Sequence, residues 1–284
     1  MDAAVDRAIE RIREGFGERL SVSRLAETAR LGRFEFARRF RETTRMSPAQ
    51  FLTAVRVHEA KRLIECSGAP TAEVAPTAEV AAAAGFAGPR ALTAAFTAAT
   101  GLSPARYGLL CRGQGQAPPA PDPGPGAERG AVAGTVRLPA GLGSARVYLG
   151  AFATPVVRYP ALAETIVDVP ADRPSCYLLS GVPAGHWHLL AVAAAAPGAG
   201  HPPRTGPVPL AGGAGASVTV TADSVTSAAV RLGPPRPADP PILLALPRLR
   251  PPADAAPPAP CAALTPPEPG GVVRAVPHGP PSGA

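Results

Sequence analysis

An internal duplication in the first 110 residues constrains the fold of this chain more than any other feature. The segment TTRMSPAQF, residues 43–51, returns as ATGLSPARY, residues 99–107, at an offset of 56. The same offset relates Phe40 to Phe96. Two copies of one sequence unit indicate two copies of one supersecondary unit.

Each copy predicts two short helices joined by a turn. In the first copy the helices cover residues 23–30 and 33–43, and in the second they cover residues 78–84 and 89–98. Apolar residues recur in these segments at helical spacing. The pattern is that of a helix-turn-helix, whose second helix typically lies in the major groove of DNA.

The second helix of the first copy has a basic outer face. Phe36 and Phe40 share the inner side of a helical wheel, and Arg38 lies opposite to them. Residues 30–62 carry nine basic side chains against three acidic ones, a net charge of +6, whereas the net charge of residues 68–108 is zero. Attraction to DNA phosphates is therefore expected mainly at the first copy.

A single long helix is predicted between the two copies, over residues 48–65. Ser47 is suited to the N-cap and Pro48 to the first helical position. The helix is roughly 27 Å long at 1.5 Å per residue, and one turn of duplex is about 34 Å. It is therefore long enough to set two recognition helices into successive major grooves on one face of DNA.

Residues 1–110 resemble the DNA-binding domain of the AraC/XylS family of bacterial transcription regulators. The resemblance rests on LAETARLGRFEFARRFRETTRMSPAQFLTAVRVHEAKRLI, residues 25–64, and on EVAAAAGFAGPRALTAAFTAATGLSPARY, residues 79–107. It implies two helix-turn-helix units, binding to double-stranded DNA and regulation of transcription.

The resemblance also implies which side chains read bases. Arg33 and Arg41 join this set as basic neighbours on the outer face of the first copy. The candidate DNA-binding residues are Arg33, Phe34, Ala37, Arg38, Arg41, Arg90, Thr93 and Ala94. An arginine can bond guanine bidentately, whereas Phe34 either contacts a thymine methyl or sugar or leans back on the domain.

Three features depart from the family pattern. Ala94 stands where the family usually has Arg, so the second copy is expected to add little base reading. Gly32 replaces the usual Ser or Thr cap. The segment APTAEV, residues 69–74, recurs at once as residues 75–80, which we interpret as an insert in the loop before the second copy.

The second half of the chain changes character. Residues 112–130 are a Pro- and Gly-rich linker, and residues 131–232 hold six or seven short alternating segments separated by turn residues, which predict a β-sandwich. The hairpin pattern in YLLSGVPAGHWHLLAVA, residues 177–193, is similar to transthyretin-like or carboxypeptidase-regulatory-like domains. Residues 233–284 hold 17 Pro in 52 residues and are expected to be mostly disordered.

The predicted fold therefore has two domains. An all-α double helix-turn-helix domain, residues 1–111, is followed by an all-β sandwich, with a Pro-rich linker between them and a disordered tail. The four Cys lie far apart, which makes a disulfide framework unexpected. No signal peptide and no apolar run of about 18 residues is recognised, so a cytoplasmic location without membrane association is expected.

The residues also bear on chemical function. No Ser-His-Asp, paired-carboxylate or phosphate-loop arrangement is recognised, so we expect no enzyme activity and no cofactor. His186 and His188 flank Trp187 but have no evident third ligand, so we expect no metal site.

The sequence favours a sequence-specific DNA-binding transcription regulator that reads the major groove mainly through its first helix-turn-helix. Its expected partners are double-stranded DNA, RNA polymerase and a small-molecule effector on the β-domain. The alternative is a β-domain that binds a ligand or partner, with the helices as a weakly specific DNA tether.

Overall fold

The computed structural model begins with seven α-helices. It describes residues 2–66, 77–119, 121, 128–198 and 207–246. The helices are α1 (Ala3–Gly15), α2 (Val22–Ala29), α3 (Arg33–Thr44), α4 (Pro48–Cys66), α5 (Thr77–Ala83), α6 (Pro89–Thr100) and α7 (Pro104–Cys111). For the five helices from α2 to α6, both ends lie within two residues of the predicted ends. Most of the repeated APTAEV segment lies outside the described residues.

Side-chain caps fix several helix starts. The Ser21 hydroxyl accepts a hydrogen bond from the backbone N–H of Arg24 at the start of α2. Before α4, Ser47 and Gln50 exchange reciprocal bonds, Ser47 N to Gln50 Oε1 at 3.0 Å and Gln50 N to Ser47 Oγ at 3.3 Å. This capping box satisfies backbone donors that the first turn leaves unpaired, and it places the long α4 between the two helix pairs.

One apolar core joins all seven helices. The stripe predicted for α1 is buried at Val5, Ile9 and Ile12. α4 crosses the core and contributes Phe51, whose ring meets Phe40 at 5.5 Å between centroids. The helix pairs α2–α3 and α5–α6 therefore pack against the same long helix, α4. No helix among the described residues is long and apolar enough to cross a membrane.

The second half of the chain is a β-domain. Its strands are β1 (Arg129–Arg137), β2 (Ala145–Phe152), β3 (Ala163–Val169), β4 (Ser175–Pro183), β5 (Gly185–Ala195), β6 (Val208–Val220), β7 (Val225–Ser227) and β8 (Val230–Gly233). Cys176 on β4 is disulfide-bonded, a bond that the wide spacing of the four Cys does not predict.

The strands form one connected sheet rather than the two sheets of the predicted sandwich. The order is β3-β2-β5-β6-β8-β1-β4, with β7 pairing β1, and among the described strands only the pairs of β1 with β7 and β8 are parallel. The sheet curls until its two ends approach each other, since Ser175 Oγ on β4 donates to the carbonyl of Asp168 on β3 at 2.9 Å. The concave side holds a separate apolar core that includes Val132, Leu149 and Tyr177.

Residues 236–246, which we name the strap, tie the β-domain to the helices. The guanidinium of Arg13 donates to the carbonyl of Pro237 at 2.8 Å. The Lys61 ammonium donates to the carbonyls of Leu244 at 2.8 Å and Ile242 at 3.2 Å. Burial lowers the pKa of Lys61 to about 8, so the group is still a cation at pH 7.

Part of the tail is packed. Leu243 and Ala245 of the strap enter the helical core, and both lie in ILLALPRLR, residues 242–250, the one tail segment apolar enough to bury a core. Leu244 joins a small cluster with Tyr148 and Phe152 of the sheet. Residues 247–284 lie outside the described residues.

The loop between β2 and β3, residues 153–162, is the second connection between the domains. Val156 is buried in the helical core, and the Tyr159 N–H donates to the carbonyl of Ala99 at the end of α6 at 2.8 Å. The strap supports the loop from behind, since the Leu243 N–H donates to the carbonyl of Val157 at 2.8 Å. The β-domain thus rests against both α4 and α6.

Candidate nucleic-acid interface

Helix α3 is held by its inner face and by the turn at its C-terminal end. Phe36 and Phe40 are fully buried, with ring centroids 5.4 Å apart in an edge-to-face contact. The helix begins after Gly32, which makes no side-chain cap bond. It ends at Arg45, which adopts the left-handed conformation with φ of 63° and bonds back to the carbonyl of Arg41. The outer face of α3 is therefore presented by a rigid support.

The predicted residues of the first copy lie together on this outer face. Phe34 is 92% exposed, so it does not lean back on the domain, and that alternative from the sequence is excluded. Arg33, Arg38 and Arg41 are exposed, and Ala37 is half-buried between them. The outer face of α3 thus combines one exposed aromatic ring with three exposed arginines.

Arg38 is the central cation of this face. Its guanidinium donates to Glu42 at 2.8 Å, and the two side chains are 62% and 60% exposed. Exposed pairs at this helical spacing contribute only about 0.3–0.5 kcal/mol. The pair therefore does not prevent Arg38 from binding another group.

Arg39 faces a different way from the residues above. It pairs with Glu35 and lies 3.6 Å from the carboxylate of Asp2. The hydrogen bond and charge of Glu35 raise the pKa of Arg39. Arg39 thus belongs to the junction of α1 and α3, and the basic run from 38 to 41 divides between an outer and a structural role.

The predicted residues of the second copy share one face of α6. Leu92 and Phe96 are fully buried on the inner side, while Arg90 and Ala94 are exposed and Thr93 is half-buried. Pro89 starts the helix after Gly88. This face of α6 lies opposite the buried side chains of its helix, as the outer face of α3 does. It carries one basic side chain, Arg90.

A cleft beside α3 includes residues that the sequence did not single out. We name it the α3 cleft. Its volume is about 580 Å³, and it is lined by Ala37, Arg38, Arg41, Glu42, Arg45, Ser47 and Pro155. Arg45 enters the cleft because the chain turns sharply after α3, and Pro155 enters it because the β2–β3 loop docks on α4. Neither placement leaves a local signal in the sequence.

His188 on β5 lies near the same region. Burial lowers its pKa, and the nearby charge of Arg45 lowers it further, so the imidazole is neutral at pH 7. His186 is engaged elsewhere, with its Nδ1 2.9 Å from the hydroxyl of Thr219. The described residues include no group of three or more side chains placed to hold a metal ion.

Residues 25–108 match the sequence profile of a family described as "Helix-turn-helix domain". The matched stretch begins in α2, ends in α7 and contains both helix pairs. No protein of curated function matches the sequence.

Several solved structures are similar to the helical part. The DNA-binding domain of AdpA, a global transcriptional factor crystallised with a target DNA, is 33% identical, with 39% of this chain and 94% of that chain covered and a TM-score of 0.35. A DNA-binding transcriptional dual regulator from Escherichia coli K-12 is 20% identical (39% and 93% covered, TM-score 0.34). The C-terminal domain of AraT, a response regulator from Geobacillus stearothermophilus, is 23% identical (44% and 95% covered, TM-score 0.34).

The buried supports, the outward basic helix and the profile match define a helix-turn-helix DNA-binding domain. Within that class, residues 25–108 are a domain of the AraC/XylS type found in transcription regulators, as the sequence motifs predicted. The β-domain has no such assignment.

Proposed function

We propose that this protein is a sequence-specific transcription regulator whose α3 enters the major groove of its operator. The observation that carries the proposal is the outer face of α3, where Phe34 is 92% exposed beside three exposed arginines. The major groove is about 12 Å wide and admits one helix. Residues near the start of a recognition helix reach the base edges, which fits the positions of Arg33, Phe34 and Ala37.

Arg38 would give the most specific contact. Its exposed guanidinium can bond both acceptors of a guanine, and such a pair discriminates against the wrong base by about 1–3 kcal/mol. The second pair, α5–α6, would act as a second helix-turn-helix that orients the protein through Arg90, Thr93 and Ala94. Its single basic side chain supports a smaller share of the binding.

The test is Arg38→Ala in the full chain, measured against an operator selected from random duplexes and against random DNA. The expected loss is about 1–3 kcal/mol on the operator only, with relaxed selection at one base position. The measurement is repeated at several salt concentrations because phosphate binding weakens with salt while base reading persists.

Arg62→Ala is the matched control. Arg62 is also 62% exposed and also paired within its helix, with Glu59 at 2.9 Å, but it lies on α4. It should leave the operator affinity within about twofold, as for an ordinary surface substitution. An equal loss on operator and random DNA would mean that Arg38 contacts only phosphate.

Regulation further implies RNA polymerase as a partner and an effector that acts through the β-domain. Support for the effector is a cleft of about 430 Å³ whose lining includes Tyr148, Tyr159, Glu164 and Leu244. Because Leu244 belongs to the strap, a ligand there would touch the β-domain and the segment that ties it to the helices. Transcription in vitro from a promoter bearing the operator should change when the wild-type protein is added, and should not change with Arg38→Ala.

A further inference from the structure

The β-domain lies next to α3, the helix proposed to read DNA. Pro155 of the β2–β3 loop lines the same cleft as Ala37, Arg38 and Arg41. A helix in the major groove has a sugar–phosphate backbone on each side. One of these backbones must therefore pass the space between the outer face of α3 and the β-domain.

We infer that the α3 cleft is a slot for the DNA backbone and that the β2–β3 loop forms its outer wall. The inference rests on the proposed function, and it adds the β-domain and Arg45 to the DNA-contacting surface. The ligand is a phosphodiester of duplex DNA, recognised by charge and shape rather than by base sequence.

The charges in the cleft fit a phosphodiester. Arg38, Arg41 and Arg45 face one carboxylate, that of Glu42. Glu42 is already engaged with Arg38, which leaves a net positive wall. The loop from residue 153 to residue 158 contains no acidic residue and ends with the exposed Arg158, so the β-domain side does not repel phosphate.

The space in the cleft fits as well. A volume of 580 Å³ corresponds to roughly nineteen waters at about 30 Å³ each, which is ample for a phosphodiester and its neighbouring sugars. The β-domain leaves the start of α3 uncovered, since Phe34 is 92% exposed. These two facts favour a wall beside the DNA over a lid that excludes DNA.

The wall is held in position before DNA arrives. Val156, next to Pro155, is only 4% exposed within the helical core. Two bonds fasten the loop just after Val156, from Tyr159 N to the carbonyl of Ala99 and from Leu243 N to the carbonyl of Val157, each at 2.8 Å. A preformed slot loses little conformational entropy on binding.

The test compares Pro155→Glu with Pro155→Gln in the full chain. The two variants share size and backbone and differ by one negative charge. We expect Pro155→Glu to bind DNA on the order of tenfold more weakly than Pro155→Gln because the added carboxylate faces a phosphate. The loss should be equal on operator and random duplex, since the slot reads no bases.

Arg45→Gln provides a second measurement that does not alter the loop. Its loss should also be uniform across sequences, and the slope of log K against log salt should become shallower by about 0.9, the value for one phosphate contact. Thermal unfolding of each variant checks that both domains stay folded.

The outcomes separate the two proposals. If Pro155→Glu and Arg45→Gln bind like wild type while Arg38→Ala loses operator preference, the slot is wrong and the proposed function stands. If Pro155→Glu binds DNA more tightly than Pro155→Gln, the loop obstructs DNA and the slot is again wrong. If Arg38→Ala changes nothing, the proposed function fails, while a uniform loss in the slot variants still identifies the cleft as a phosphate site.

Discussion

The two helix pairs have the same interior. In the first, Phe40 meets Phe51 with ring centroids 5.5 Å apart and an interplanar angle of 82°. In the second, Phe96 meets Tyr107 at 5.4 Å and 66°. Both contacts join residues related by the offset of 56, so the duplication is preserved in the packing as well as in the sequence.

The turns that follow the second helices also match. Thr44 Oγ1 donates to the carbonyl four residues earlier at 2.8 Å and receives the N–H of Met46 at 3.3 Å. Thr100 Oγ1 makes the equivalent contacts at 2.9 Å and, with Leu102, at 3.1 Å. These buried hydroxyls satisfy backbone groups that the helix ends leave unpaired.

The outer faces of the two pairs, by contrast, differ at every position. Arg33, Phe34, Ala37, Arg38 and Arg41 on α3 correspond to Pro89, Arg90, Thr93, Ala94 and Thr97 on α6. Interior positions are constrained by close packing, whereas outer positions are free to change with the ligand. The comparison teaches that the shared residues carry the fold, and the proposed difference in DNA contact between the two pairs rests on the unshared ones.

The largest expected effect tests the shared interior. Phe40→Ala and Phe96→Ala each remove a fully buried ring, and each should lower the stability of the helical domain by about 3–5 kcal/mol. The measurement is denaturant unfolding followed by the helical circular dichroism signal. Costs that differ by more than about 2 kcal/mol would show that the two interiors are not equivalent despite their matching rings.

A second prediction concerns Gly101, where the turn after α6 meets the β2–β3 loop of the β-domain. Gly101 has a φ of +78°, and a Cβ there would lie 2.6 Å from the Tyr159 ring. Gly101→Ala should therefore cost more than the about 1–2 kcal/mol of a left-handed alanine. The readout is the free energy of unfolding.

Arg45→Ala is the matched control for this substitution. Arg45 already adopts the left-handed conformation with a side chain in place, so alanine there adds no backbone penalty and should change stability by less than about 0.5 kcal/mol. A cost at Gly101 of no more than about 1–2 kcal/mol would mean that the β-domain does not press on the second turn.

Much of the helical domain could be predicted from the sequence because its signals are local. The apolar spacing, the Ser-Pro starts and the duplication place the ends of α3 and α4 within one residue of those observed. The same periodicity puts Phe34, Arg38 and Arg41 on the outer face of α3, whereas Ala37, Arg90, Thr93 and Ala94 are implied by the family resemblance. Phe34 was ambiguous in the sequence because an aromatic residue on a helix suits either the core or a ligand.

The contacts between the domains could not be predicted, because they join residues far apart in the chain. Lys61 is 183 residues from Leu244, whose carbonyl it binds. Strand patterns predicted a β-domain, but they did not show that β1 pairs with β4, β7 and β8 to give a single sheet. The α3 cleft depends on the contacts between the domains and on the sheet. The sequence therefore does not predict that Pro155 and Arg45 line the same cleft.

The smallest expected effect would sharpen the contrast between the outer faces. Ala94→Arg places a guanidinium where Arg38 stands in the first pair, on an exposed position of α6. One added phosphate contact should steepen the slope of log K against log salt by about 0.9. Because no base has been selected to meet this arginine, the gain in affinity should be a few-fold and similar on operator and random duplex.

Ala105→Arg, at an exposed position of α7, is the control for added charge away from the proposed face and should leave the slope nearly unchanged. If Ala94→Arg leaves the slope unchanged, α6 does not contact the DNA. The first helix pair would then bind DNA without the second.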